Sequence, residues 1–378
     1  MQIEPYDVVI VGAGAAGVGM GVVLRHLGIE RFVLLDRYQI GASFERWPAE
    51  MRFITPSFPS NSFGQLDLNA IALNTSPAFS LQREHPTGKE YAKYLRSVAE
   101  HFELPLKAGT EVQSVKPQEN GSGFTVVTSQ GNIQSRFVIW AAGEFQYPQS
   151  ASFPGANLCK HNSQVTTWRE VEGDEIFIVG GYESGIDAAI HLSNLGKRVH
   201  VMDRSGIWNY ISSDPSTVLS PHTQERLTNA GQDKRIHLND GVEVIRVEAV
   251  PEGFAIYTVS EESQPGQVWT TAVPPILATG FAGSLQLVEP LFEWHEEGYP
   301  LLTEHDEATL TPGLFLAGPS VRHGPIIFCF IYKFRQRFAV VANAIGEQLG
   351  VDCSVLDIYR QNGMFLSDLS CCGEECTC

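Results

Sequence analysis

The chain of 378 residues contains no apolar run near the roughly 18 residues that a membrane-spanning helix needs. No basic leader with a cleavage site precedes the first apolar stretch, so a soluble, cytoplasmic protein is expected. Positive charge is also short: 26 Lys and Arg against 43 Asp and Glu leave a net −17. Such a surface repels phosphate backbones and anionic lipid, so neither nucleic acid nor membrane is expected as a partner. Cysteine is scarce through most of the chain, with only Cys159, Cys329 and Cys353 before the last eight residues, which hold Cys371, Cys372, Cys376 and Cys378. That distribution excludes a disulfide-stapled secreted fold and leaves a terminal thiol cluster with a redox or metal role. The remainder is ordinary: 43% hydrophobic and 18% charged residues suit sizeable cores, and the length suits two to three domains.

Two segments carry the same pattern. Tyr6–Val11 is a short apolar run of the kind buried in a parallel sheet, followed at once by Gly12-Ala13-Gly14-Ala15-Ala16-Gly17 and an apolar helix closing at Gly28. A second strand then ends at Asp36. In such a turn the first glycine permits the bend, the second lets backbone approach a pyrophosphate, and the third lets helix pack on strand. The helix N-terminus adds partial positive charge, and the acid some 20 residues on holds a ribose hydroxyl. Glu175–Val179, Gly180-Gly181-Tyr182-Glu183-Ser184-Gly185, a helix to Leu195 and a strand ending at Asp203 repeat the unit, but Tyr182 replaces the second glycine. Asp203 favours a free 2′-hydroxyl while Arg204 beside it suits a 2′-phosphate, so NADH and NADPH both stay open.

Between and beyond these units lie a Pro/Ser/Asn-rich stretch (Pro48 to Ser76), a helix from a Thr87 cap with Glu90 three residues on, and an alternating stretch, Thr110–Val127, with a turn at Asn120-Gly121. Strands end in small residues at Ala141-Ala142-Gly143, Ala278-Thr279-Gly280 and Ala317-Gly318, and a long helix ends near Gly350. From about Met364 no periodicity is evident, which predicts a flexible tail. Cys159 and His161 form a lone pair two residues apart, read as a structural loop.

In this order, the motifs Gly12 to Gly17, Ala141-Ala142-Gly143, Gly180 to Gly185, Ala278-Thr279-Gly280 and Phe315-Leu316-Ala317-Gly318 resemble the two-dinucleotide-binding-domain flavoproteins over nearly the whole chain. Within that group the chain most resembles the thioredoxin-reductase-like bacillithiol disulfide reductases, through Trp47-Pro48 with Phe53 and Ser57, and Gly180 to Ser184 with Asp187-Ala188-Ala189; flavin monooxygenases are more distant. The resemblance implies an α/β fold of two Rossmann-like domains, FAD on the first unit and NADPH or NADH on the second, and a homodimer. It places FAD against Gly12, Gly14, Ala16, Gly17, Asp36, Arg37, Phe44, Trp47, Val112, Ala142, Gly143, Gly318 and Pro319. It places the nicotinamide cofactor against Gly180, Gly181, Glu183, Ser184, Gly185, Asp203, Arg204 and Gly280. Arg322 and His323 follow the last flavin strand, where the cation would stabilise a reduced flavin and His323 would donate a proton.

Three departures shape the expected chemistry. The nicotinamide domain lacks the Cys-x-x-Cys of thioredoxin reductases, Ala15 and Ala16 stand where bacillithiol disulfide reductases carry a Cys, and Gly318 is followed by Pro319 rather than Asp. The Phe153, Gly155 and His161 spacing also departs from the monooxygenase fingerprint. The tail cysteines are the candidate substitute for the missing thiols, either as an electron shuttle or as soft-metal ligands. Glu374 and Glu375 beside them raise thiol pKa values, which suits a metal clip better than a fast nucleophile. The expected FAD domain spans 1–160 and 282–350, the nicotinamide domain 161–281 and the tail 351–378. The expected function is an FAD-dependent NAD(P)H oxidoreductase acting through the tail cysteines on a disulfide, thiol-linked or metal-thiolate substrate, either a small molecule or a small thiol protein. The alternatives are a flavin monooxygenase, and a flavin-containing metal-binding or sensor protein whose nicotinamide site is blocked by Tyr182.

Overall fold

The computed structural model describes residues 4–59, 66–119, 121, 123–212, 216–232, 234–260 and 265–370. The chain divides into two compact units, one of Met1–Glu45, Pro56–Glu144 and Gly283–Cys378, the other of Arg46–Thr55 and Phe145–Ala282.

The first unit is built on a seven-stranded sheet. Tyr6–Val11, with no exposed residue from Val8 to Val11, runs parallel to both neighbours, pairing Val8 with Phe32 of Phe32–Leu35 and with Phe137 of Gly131–Trp140. A strand buried on both faces requires the continuous apolar run seen in the sequence. Leu106–Lys107 extends the parallel edge, and the hairpin Val112–Pro117/Phe124–Thr128 adds antiparallel strands at the other side. Leu314–Leu316 pairs in parallel with Val138 to Trp140. Helix Ala15–His26 is buried from Ala15 to Leu24 and packs so closely on helix Ile331–Leu349 that a Cβ on Gly19 would lie 2.2 Å from the Phe338 ring. Helix Gly88–His101 carries the expected capping box, with Thr87 Oγ1 accepting from Glu90 N and Glu90 Oε2 accepting from Thr87 N at 2.8 Å.

The second unit repeats the parallel arrangement in five strands, in the order Ile236–Asn239, Arg198–Met202, Glu175–Val179, Ile276–Leu277 and Lys160–His161. Helices Glu183–Asn194 and Pro221–Gly231 accompany it, with a three-stranded antiparallel sheet of Val242–Val250, Gly253–Ser260 and Pro265–Thr271. The core under the first helix joins Ile176, Ile178, Ile186, Ile190 and Val199 to Trp168 and Trp208.

Three expectations about boundaries change. The break falls after Glu144 rather than at 160, because Val247 N donates to Pro154 O and Gly155 lies against the Val247 backbone. Residues 46–55 belong with the second unit, where Glu50 accepts from Thr167 Oγ1 and from Trp168 N at 3.1 Å. Residues 351–370, expected to be tail, are folded onto the first unit: Tyr359 and Met364 are fully buried, and Tyr359 hydrogen-bonds His26. Of the expected tail chemistry, Cys371, Cys372, Glu374, Glu375, Cys376 and Cys378 lie outside the described residues. No described helix is long and apolar enough to cross a membrane.

Candidate functional site

The two glycine turns share one construction. Gly12 has φ 107°, and a Cβ there would meet Ala141 O at 2.4 Å; a Cβ on Gly17 would meet Gly12 O at 1.8 Å. In the second unit the corresponding contacts are Gly180 (φ 100°) on Ala278 O at 2.4 Å and Gly185 on Gly180 O at 2.0 Å. First and third glycines are thus required by close backbone approach. Gly14 differs, since a Cβ at that position meets nothing within 4 Å, and the helix it caps has no side-chain cap. Uncapped amides beside open space form the environment that a pyrophosphate needs. The residues present therefore fit FAD.

Asp36 braces its own turn: one carboxylate oxygen accepts Ala13 N at 2.9 Å and the other accepts Tyr38 N at 2.7 Å. Ala16 is buried in the first helix turn, and a Cβ on Gly318 would lie 3.2 Å from its methyl group, which puts the end of Leu314–Leu316 beside the first glycine turn. Pro319 follows directly. Arg37 pairs with Glu111 at 3.2 Å and lies over the Tyr38 ring. Phe44 packs edge-on against Tyr91, Val112 opens a buried strand end, and the carbonyl of Gly143, next to the half-buried Ala142, accepts Ser284 N at 3.1 Å. Trp47 falls in the second unit, 5.0 Å from the Phe53 ring.

In the second unit Asp203 accepts Gly181 N at 2.7 Å, Ser205 N and Oγ at 2.9 Å, and Gly206 N at 3.0 Å. These backbone bonds outweigh desolvation and hold its pKa below the ordinary carboxylate value. Arg204 is exposed beside it. Trp208 donates its indole N–H to Gly181 O at 2.8 Å and leaves no room for a Cβ on Gly181; pattern reading missed this residue, whose signal is a lone tryptophan in a polar loop. Tyr182 sits at the N-cap position with its phenol donating to Val218 O at 2.9 Å. Glu183 accepts from Ser220 N and, at 2.6 Å, from Thr223 Oγ1, and burial raises its pKa despite these bonds. Ser184 and Gly185 complete the first turn of the helix. Gly280 accepts from His161 Nε2 at 3.0 Å, so His161 is a structural anchor, and no group of three metal-binding side chains occurs among the described residues.

After Gly318 the chain forms a small hairpin, Arg322–His323 with Ile326–Ile327. Arg322 is engaged by Glu297 at 2.7 Å, by Gly324 O at 2.8 Å and by the Tyr299 ring. His323 Nε2 lies 2.6 Å from Asp306 Oδ1, and Arg337 clamps the same carboxylate. Neither Asp306 nor Arg337 was suggested by the sequence.

Residues 9–318 match the family model for pyridine nucleotide-disulphide oxidoreductases. The chain belongs to that family. An uncharacterized oxidoreductase, CzcO, of Bacillus velezensis is 29% identical over 194 residues, covering 50% of this chain and 52% of that protein. The chain thus spans about half the length of the curated relatives first matched. The Bacillus subtilis bacilliredoxin reductase Bdr is 22% identical over 82% of this chain and 88% of its own. The structure of bacillithiol disulfide reductase Bdr from Staphylococcus aureus superposes with TM-score 0.76 at 20% identity, covering 92% of this chain and 99% of that one. The fold of this pyridine nucleotide-disulphide oxidoreductase is therefore the two-domain α/β fold of such reductases.

Proposed function

We propose that this chain is an FAD-dependent oxidoreductase that takes a hydride from NADPH and reduces a disulfide of a small molecule or small thiol protein. The observation that carries this reading is the pair of glycine turns locked in the same way, each braced by an aspartate that follows the next strand. FAD, when bound, takes up two electrons as hydride and passes them on. Gly12, Gly14 and Gly17 would hold its pyrophosphate, with Asp36 orienting the ribose. NADPH is favoured over NADH because Asp203 already serves four donors of its own loop, whereas Arg204 is exposed and suited to a 2′-phosphate.

The terminal cysteines are the proposed relay to the acceptor. Leu366 O accepts from Arg337 Nη1, and Leu366 N donates to Gln336 O at 3.0 Å, so the segment leading to Cys371 is rooted on the first unit. Cys371 lies five positions beyond Leu366, a reach of about 17 Å when extended.

Anaerobic mixing of the FAD-loaded protein with NADPH tests the reading directly. Bleaching of the visible flavin band, followed by the appearance of two thiols per disulfide added, is the expected result. No bleaching with NADPH or NADH overturns it, and NADPH use that requires O₂ and yields a hydroxylated product replaces it with monooxygenation. Serine at Cys371, Cys372, Cys376 and Cys378 should abolish disulfide turnover while leaving bleaching intact; persistence of turnover removes the tail from the path.

A further inference from the structure

The residue after the first glycine is pinned twice in both turns. In the first, Ala13 N donates to Asp36 Oδ2 at 2.9 Å and Ala13 O accepts Gly41 N at 2.9 Å. In the second, Gly181 N donates to Asp203 Oδ2 at 2.7 Å, and Gly181 O accepts from the indole Nε1 of Trp208 at 2.8 Å. The second donors correspond in position, since Gly41 stands five residues beyond Asp36 and Trp208 five beyond Asp203. A backbone amide in one unit and a side chain in the other therefore fill the same role.

The second loop is built to bring the indole there. Asp203 Oδ1 accepts Ser205 N at 2.9 Å and Gly206 N at 3.0 Å, and Gly206 leads into the short turn Ile207–Asn209 that carries Trp208. The tryptophan is 7% exposed and belongs to the core with Ile178 and Leu219. Its fit against the turn is close, for a Cβ on Gly181 would lie 2.8 Å from Nε1 and 3.0 Å from Cζ2. No described peptide is cis, so the N–H of Tyr182 points opposite to Gly181 O, away from the indole. Without the indole bond that peptide would turn over at little cost and present a carbonyl, which repels an anion, where the N–H stood. Helix Glu183–Asn194 begins at this point with no side-chain cap, so the positive end of its dipole faces the same place.

We infer that Trp208 is a positioning residue for the nicotinamide cofactor, its indole N–H locking the Gly181–Tyr182 peptide with the amide rather than the carbonyl toward the pyrophosphate. The inference rests on the reductase reading, in which the second unit takes NADPH. It divides one loop into two tasks: Trp208 serves the pyrophosphate, common to both nicotinamide cofactors, while Arg204 serves the 2′-phosphate that distinguishes them.

The test is calorimetric titration of the FAD-loaded protein with NADP⁺, NAD⁺ and ADP-ribose, the last carrying the pyrophosphate without nicotinamide. Trp208→Phe keeps a buried ring and removes the donor. All three affinities should fall by a common factor of roughly ten, the effect of one hydrogen bond that aims a contact to a charged group. The preference for NADP⁺ over NAD⁺ and the retention of FAD should stay within about twofold of the parent. ADP-ribose affinity within about twofold of the parent overturns the inference. So does a preference lost together with the affinity, because a tryptophan that merely supports the loop would take Arg204 with it. Should Trp208→Phe unfold, benzothienylalanine at position 208, which has the shape of tryptophan but no N–H, decides by the same measurements. A parent that fails to bind ADP-ribose also overturns the inference. A parent that binds it but shows no flavin bleaching with NADPH or NADH overturns the reductase reading instead and leaves the peptide lock standing.

Discussion

Tyr182 donates its phenolic hydroxyl to the carbonyl of Val218 at 2.9 Å, which anchors the bulky ring in the second glycine turn to the segment preceding helix Pro221–Gly231. The anchor gives the ring a defined place where the first turn has only the open position of Gly14. Tyr182→Phe releases it at the loss of one neutral hydrogen bond, worth about 1 kcal/mol. The KM for NADPH should rise roughly threefold to tenfold with kcat little changed, as steady-state kinetics would show.

Gly14 and Gly17 should separate binding from folding. Gly14→Ala meets no neighbour, so its melting temperature should stay near that of the parent while FAD affinity, read by retention on gel filtration, falls. In Gly17→Ala the new methyl would sit 1.8 Å from Gly12 O, and overpacking against backbone costs about 1–3 kcal/mol or more. That variant should lose stability even without cofactor.

Arg335 is 5% exposed and donates to Asp67 O and, at 2.8 Å, to Ala70 O, fastening the 66–78 segment to helix Ile331–Leu349. Asp67 in turn accepts Ser76 Oγ at 2.8 Å and Ala78 N at 2.9 Å. Arg335→Ala strands these carbonyls and opens a cavity, with an expected loss of about 3–5 kcal/mol in urea unfolding.

Glu183 gives a pH prediction of definite sign. Its folded-state pKa is raised by burial, so the native state holds the proton more tightly than the unfolded chain. The resulting stability is fully present below the ordinary glutamate range and is lost as pH rises through the raised value. Glu183→Gln removes this dependence, so the melting temperature of the variant should gain on the parent as pH rises from about 4.5 upward.

Cysteine reactivity should follow burial. The Cys159 thiol is half-buried and pushed up to about 11 by desolvation, so it stays protonated at pH 8. Cys329 is exposed. Alkylation followed by mass spectrometry should label Cys329 well before Cys159.

The legible parts of the fold were those with local cause. Val8–Val11 and Ile176–Val179 announce buried parallel strands by unbroken apolar runs, and each is followed by the glycines that its turn requires. The capping box at Thr87 and Glu90 and the end of the long helix at Gly350 were equally local. What was hidden depends on distant pairing. Asp306 sits in the polar run Thr303 to Glu307, which reads as a solvated loop, and Arg335 and Arg337 read as the wet face of a helix. Their burial becomes evident only when segments 29 or more residues away supply carbonyls and carboxylates. The antiparallel sheet from Val242 was obscured by bulges at Val244/Arg246 and Tyr257/Val259, which break the alternation.

The bond from Arg337 to the Leu366 carbonyl makes the far end of the chain a structural member of the His323 cluster. One guanidinium serves as a shared knot: pull the strand at Leu366, and the clamp on Asp306 must find another partner for a buried donor. Removing Leu366 and everything after it would therefore do more than remove four thiols. It would slacken the clamp behind His323.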